Sequence, residues 1–262
     1  MEESIMRKVI KKSIYAVLPL LSIGAILLAW ILLSEKDGSL VPSPAETWHR
    51  FLYILTNPIA NATLPIHILV SLRRVLIAMA LAIVIGITLG VLFGWSPMFR
   101  GLVMPAFELI RPIPPIAWLP LIIIWCGIGE LAKIVIVFIG AFTGIVINTH
   151  AGMKSIDHEL IRAGRSLGAS KSQLLVHVAM PAAFPAILAG IKTSLSAGWM
   201  CVLAAEMIAA KQGVGFLIIK GQEIGDMALI VVCMFAIGIV SMIISVSLTK
   251  LEGVLCPWQF KK

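Results

Sequence analysis

Few residues in this chain are placed to do covalent chemistry. His158-Glu159 begins like a zinc-peptidase helix, whose HExxH spacing sets two imidazoles one turn apart around a metal. Leu160, Ile161 and Arg162 follow instead, and the second His is missing. Gly168-Ala169-Ser170-Lys171-Ser172 ends like a phosphate-binding loop, yet it lacks the Gly before Lys and the required spacing, so no nucleotide site of that kind is expected. His49, His67, His150, His158 and His177 show no ligand spacing and read as interface residues. Cys126, Cys201, Cys233 and Cys256 are scattered in or beside apolar segments, which suits packing rather than disulfides or metal. What remains is polar groups in apolar surroundings: Glu108, Arg111, Lys192, Thr193, Ser194, Ser196 and Glu206. A charge inside a bilayer costs about 3 kcal/mol on insertion scales, so each of these charges needs a reason to be there.

The chain that positions them has 262 residues, is 60% hydrophobic and 13% charged, and has a mean hydropathy of +1.02. That composition excludes an ordinary soluble globule and predicts an integral membrane protein. The net charge of +8 does not point to nucleic acid, because the basic residues flank apolar runs instead of lining one face with aromatics between them. The expected fold class is all-α, a polytopic membrane protein with six transmembrane helices. Its parts are a cytoplasmic N-terminal segment over 1–12, a first span over 13–33, an outer segment over 34–67, a core over 68–250 and a cytoplasmic tail over 251–262. Within the core, further spans are expected near 68–94, 102–127, 131–149, 186–205 and 227–248, with a cytoplasmic loop over 152–185. The first run mimics a secretory signal, but its length suits an anchor.

Charge sets the orientation. Arg7, Lys8, Lys11 and Lys12 precede the first span, and Arg100, Lys154, Arg162, Arg165, Lys171, Lys250, Lys261 and Lys262 fall on the same side, so both termini are placed inside. Arg73 and Arg74 are expected to snorkel to the outer interface. A short interfacial helix is expected over 45–55, anchored by Trp48 and Tyr53. Gly86, Gly90 and Gly94 form a smooth strip at four-residue spacing, read as helix packing within one subunit ahead of a subunit interface. The third span carries Glu108, Arg111, Pro105, Pro112, Pro114, Pro115 and Pro120, so a continuous helix is not expected. Broken backbone survives in a membrane only where protein or a wet cavity satisfies it, which makes this break a candidate for a path or for a gate beside one. Glu108 and Arg111 lie three apart and can pair, leaving a structural salt bridge and a substrate role both open. The small and hydroxylated residues of the fifth span suit either helix packing or a polar passage. Glu206 stands at its outer end. Beyond it, 211–226 is a Gly-rich outer segment suited to dipping back into the membrane. There is no strong internal repeat, which weighs against a secondary transporter built from duplicated halves.

Residues 158–185, HELIRAGRSLGASKSQLLVHVAMPAAFP, read as helix, turn, helix: Leu160, Ile161 and Leu167 near helical spacing, Gly168 as punctuation, and Leu174, Leu175 and Val178 resuming, with Pro181 and Pro185 opening a new element. The pattern resembles the EAA loop of bacterial ABC importer permeases, in which Glu-Ala-Ala is followed after three residues by Gly and after nine more by Ile-x-Leu-Pro. The matching residues are Arg162-Ala163-Gly164, Gly168, then Val178, Met180 and Pro181. Arg162 stands where the family usually has Glu, and Gly164 where it usually has Ala. Residues 108–130 (ELIRPIPPIAWLPLIIIWCGIGE) and 203–218 (LAAEMIAAKQGVGFLI) are also similar to this family, in particular to its taurine, aliphatic sulphonate and nitrate permeases, with taurine nearest.

The resemblance implies a type I importer permease fold in the bacterial inner membrane. It also implies a subunit without its own ATPase site: ATP and Mg are bound by a partner ATPase, and a periplasmic or lipid-anchored binding protein delivers substrate. Two permease subunits, expected as a homodimer, form the pore within membrane lipid. The ATPase-coupling loop is Arg162, Ala163, Gly164, Arg165, Ser166, Leu167, Gly168 and Ala169. The candidate translocation path is Glu108, Arg111, Pro114, Pro115, Thr193, Ser194, Ser196 and Glu206. Arg111, Lys192 and the hydroxyls of Thr193, Ser194 and Ser196 suit a small oxyanion such as a sulphonate. The alternative is a secondary transporter driven by an ion gradient, with Glu108 or Glu206 carrying the coupling proton.

Overall fold

The computed structural model describes residues 18–19, 21–36 and 39–256. The basic N-terminal cluster, the start of the first expected span and Lys261 and Lys262 lie outside them. Of that first span, an apolar helix α1 is seen over Leu21–Ser34. The amphipathic α2, Pro44–Thr56, matches the expected interfacial helix to within a residue at each end. Its start is fixed by a capping box, in which Ser43 Oγ accepts from Glu46 N at 3.2 Å and Ser43 N donates to Glu46 Oε2 at 2.8 Å. Trp48 and Tyr53 are exposed, as interface anchors must be.

Four helices are long and apolar enough to cross a membrane, and a bent pair makes a fifth candidate span. The first of the long helices is α3, Leu64–Trp95. The bent pair is α4, Pro97–Ile110, and α5, Leu119–Cys126, joined through a 3₁₀ turn at Pro115–Trp118 and bent by 87°. Then come α6, Glu130–Lys154, the short α7, His158–Ser166, and α8, Lys171–Leu174. A π-type turn, Leu175–Ala179, leads from α8 into α9, Met180–Ala209. The short α10, Val214–Ile224, precedes α11, Met227–Leu255. The helices outrun the apolar runs that predicted them. Thus α6 continues to Lys154, and α9 begins at Met180 where a new element was expected only from Pro181 or Pro185.

Two proline effects explain the differences. Pro97 sits at the first position of α4, where its missing N–H costs nothing, and Ser96 Oγ caps Phe99 N at 3.3 Å. The connection left between the spans expected at 68–94 and 102–127 therefore shrinks to Ser96. At Pro181 the ring would press on the carbonyl four residues earlier, and the widened π turn falls on that stretch, so the helix runs on instead of ending. In α4–α5 the prolines are too many to absorb, and Pro114 and Pro115 turn the chain sharply.

The core is a three-helix layer with α6 in the middle, packed along both α3 and α9. The glycine strip of α3 faces α6 within this chain: a Cβ at Gly86 would lie 3.0 Å from Ile145, one at Gly90 would lie 2.5 Å from Thr149, and one at Gly94 would strike Met153. On the other side α6 closes on α9, where a Cβ at Gly190 would lie 2.6 Å from Asn148 and one at Gly152 would lie 2.7 Å from Ala186. Buried Val75, Ala78, Ile136, Ile145, Ile187 and Val202 fill the seams. A second cluster, with Ile54, Leu64, Leu217, Leu229 and Val232, ties α2 and α10 to α11.

Candidate functional site

At one end of the molecule α7 stands out on the surface. Asp157 caps it by accepting from Glu159 N at 2.8 Å. Its other end is closed by a Schellman turn: Gly168 N donates to Arg165 O at 2.9 Å and Ala169 N to Gly164 O at 3.1 Å, with Gly168 at φ +80°. The next helix starts at once, because Ser170 and Gln173 form a second capping box. The expected helix, turn, helix is thus present, with both ends of the turn fixed by local hydrogen bonds.

The turn also fixes which face of α7 looks outward. Ile161 and Gly164 turn toward the body, and Gly164 rests on buried Leu174, where a Cβ would come within 2.5 Å. Leu160, Ala163 and Leu167 are exposed, Leu167 at 88%, flanked by exposed Arg162, Arg165 and Ser166. An apolar stripe with basic neighbours is therefore left without a partner among the described residues. A Cβ at Gly168 would have no neighbour within 4 Å, so a side chain there meets the left-handed backbone and not a collision within the chain.

The candidate path residues do not form one cluster. Glu108 and Arg111 pair at 3.0 Å on a half-exposed face of α4, just before the bend at Pro114 and Pro115. Thr193 and Ser196 are exposed on α9, but the Thr193 hydroxyl is directed at the helix's own carbonyls, 3.0 Å from Gly190 O. Ser194 is buried against Gly144 of α6, in a helix seam. Lys192 pairs with Glu252 of α11.

Glu206 belongs to a buried network that sequence spacing does not assemble. It accepts from Arg74 Nη1 at 2.6 Å, Ser71 Oγ at 2.8 Å and Gly215 N at 2.9 Å. Arg74 also makes a two-point contact with Glu130, Nε to Oε2 at 2.8 Å and Nη2 to Oε1 at 2.6 Å, and donates to Gln212 O at 2.8 Å. Arg74 therefore does not snorkel: it is 2% exposed, because two carboxylates and a carbonyl replace the water it gives up. Arg73, at 3.5 Å from Glu130, keeps the exposed position expected of both. Three successive amides at the start of α10 are taken by buried side chains: Gly213 N by His67 Nδ1, Val214 N by Ser71 Oγ and Gly215 N by Glu206. His67 thus accepts at Nδ1 and faces Ile59 O through Nε2 at 3.1 Å, which makes Nε2 the protonated nitrogen. A Cβ at Gly213 would run into the Glu206 carboxylate, so this position has room for glycine alone. The legible signal was His67, Ser71 and Arg74 at i, i+4 and i+7, one polar stripe on an otherwise apolar helix.

A network so fully satisfied positions the start of α10 against α3 and α9. The outward stripe of α7 and the bend between α4 and α5 lie apart from this network. Residues 82–259 match the model of the family described as binding-protein-dependent transport system inner membrane component. The chain belongs to this family. The permease is 37% identical to the taurine transport system permease protein TauC of Escherichia coli (strain K12), over 83% of this chain and 80% of that one. It is 32% identical to the nitrate import permease protein NrtB of Synechocystis sp., over 93% and 90% of the two chains. Among solved structures it shares the fold of an inward-facing MetNI methionine ABC transporter, with a TM-score of 0.61 and 23% identity over 71% of the permease and 93% of that chain. Membership of this family favours the permease reading over an ion-gradient-driven secondary transporter.

Proposed function

We propose that the permease carries a small oxyanion inward through a pore formed by two copies, driven by a separate ATPase that docks on α7. The observation that carries this reading is the exposed stripe Leu160, Ala163 and Leu167, held at a fixed angle by the Schellman turn at Gly168 and the capping box that follows it. A helix offered in this way fits a groove on a soluble partner, with Arg162 available to acidic residues at its rim. ATP and Mg belong to that partner. When two ATPases close on ATP, the two docked loops move together and turn the paired cores toward the outside, where a binding protein releases its cargo. Hydrolysis reverses the motion. This places α7 and both termini in the cytoplasm and α10 on the outer face, as the basic residues at the α7 end support.

The substrate class draws support from the relatives, which are named for taurine, nitrate and aliphatic sulphonates. Taurine or another sulphonate is the proposed cargo. Arg111 and Ser196 are the exposed groups beside the bend and on α9 that suit its oxygens.

The test is purification of the tagged permease from native membranes with mass spectrometry of whatever accompanies it, followed by reconstitution with taurine, nitrate and ATP. A stoichiometric soluble ATPase and ATP-dependent taurine uptake are expected. A permease that purifies alone and moves substrate on an ion gradient overturns the reading.

A further inference from the structure

Where α3 gives way to α4, beneath the end of α6 and against α7, lies a cavity of about 740 Å³. Arg100, Lys154, Arg165 and Lys171 stand around it, with His158. None of these four cations has an ion-pair partner among the described residues, and among those residues no carboxylate lines the cavity. The nearest acid in sequence, Asp157, is already occupied in capping α7. By contrast, the cations at the opposite end, Arg74 and Lys133, are both matched by Glu130. Four positive charges held together without counter-charge repel one another and call for an anion.

The wall says which kind. Trp95, Ile156 and Leu174 give the cavity an apolar lining below its charged rim. It opens beside α4, whose Met98 and Leu102 are 86% and 77% exposed at the end of the apolar spans. A ligand with a phosphate at one end and hydrocarbon at the other satisfies both halves, whereas a small free anion uses only the rim. We propose that this cavity binds a phosphate oxyanion, supplied by the headgroup of an anionic phospholipid at the end of the membrane that bears α7. The site uses Arg100 and Lys154, which lie outside the stripe assigned to the ATPase.

The experiment uses the transporter as purified with its accompanying subunits, exchanged into micelles holding equal phosphatidylglycerol and phosphatidylethanolamine. Retained lipid is quantified by mass spectrometry. Wild type is expected to enrich phosphatidylglycerol, and Arg100→Gln with Lys154→Gln to lower that enrichment by about twenty-five-fold, at about fivefold per cation. The charge-preserving pair Arg100→Lys with Lys154→Arg is expected to keep it, which separates charge from folding. In a second arm, amine-reactive labelling of Lys154 is followed against inorganic phosphate and against short-chain phosphatidylglycerol. Protection by the lipid at lower concentration supports the headgroup. Protection by inorganic phosphate alone supports the oxyanion site and transfers it to a free anion. Equal retention of both lipids with no protection by either probe overturns the proposal, and loss of the accompanying ATPase from the Gln pair in that case assigns the cations to a protein interface. A wild type that purifies without an ATPase refutes the proposed function but leaves both lipid readouts intact.

Discussion

Glu206 is the residue on which the end around α10 depends most heavily, because three donors, two from α3 and one from α10, converge on its carboxylate. Truncating one partner of a buried pair leaves the other charge uncompensated, at a cost of about 3–5 kcal/mol. Glu206→Ala is therefore expected to lower the thermal midpoint of the detergent-solubilised protein markedly, and Glu206→Gln, which keeps an acceptor for Gly215, to lower it less. Equal midpoints for Glu206→Ala and wild type would show that Glu130 alone can hold Arg74. The sequence pointed to Glu206 as a costly charge and to Arg74 as a snorkelling residue, not to the two as partners, since they are far apart in the chain and only the packing of α3 on α9 and α10 joins them. Gly168 is the opposite case, legible from spacing alone. Its left-handed backbone makes Gly168→Leu cost about 1–2 kcal/mol in the turn, while Gly168→Asn tolerates that conformation. In transport assays with a matched ATPase, Leu is expected to leave hydrolysis running while uptake falls, and Asn to keep the two coupled; normal uptake by a fully inserted Gly168→Leu refutes the role given to the turn.

At the scale of elements, the spans were legible where hydropathy was continuous and the caps were not. The glycine strip of α3 could be read from its spacing, and its partner proved to be α6. Its tightness is testable, because a branched side chain at Gly90 must displace Thr149 in a seam with no slack. Gly90→Val is expected to cost about 1–3 kcal/mol or more and to reduce the monodisperse fraction on size exclusion, whereas Gly101→Val, with nothing within 4 Å, is expected to behave as wild type. The bend in the third span was legible from its prolines, but not its sharpness, since five prolines say that a helix fails without saying at what angle. The ends of α6 and α9 escape a hydropathy pattern because polar residues can continue a helix once capping and packing support it. A hydropathy window sees only the part that faces lipid.

For the whole molecule, the expected six spans reduce to four long helices and one bent pair among the described residues, with α1 as a shorter apolar helix beside them. What no pattern within one chain could show is the contrast between the ends: one tied together by the Arg74, Glu130 and Glu206 network, the other left with an apolar stripe and unmatched cations among the described residues. If the pore needs two copies, purified permease is expected to elute as a pair, and a cysteine placed at Glu108, on the half-exposed face of α4 just before the bend, to cross-link to its counterpart. A monomer that transports argues against the paired pore.

Glycine seams on both flanks of α6 have a mechanical meaning as well. With side chains such as Ile145, Thr149 and Asn148 seated directly on glycine backbone at each side, the seams have no slack for sliding, so α3, α6 and α9 must travel together like a plank when the transporter changes state. The give has to come from the joints at its margins, at the elbow between α4 and α5 and along α11. Spin-label distances measured within the plank should then stay constant through the ATP cycle, while those from the plank to α5 change.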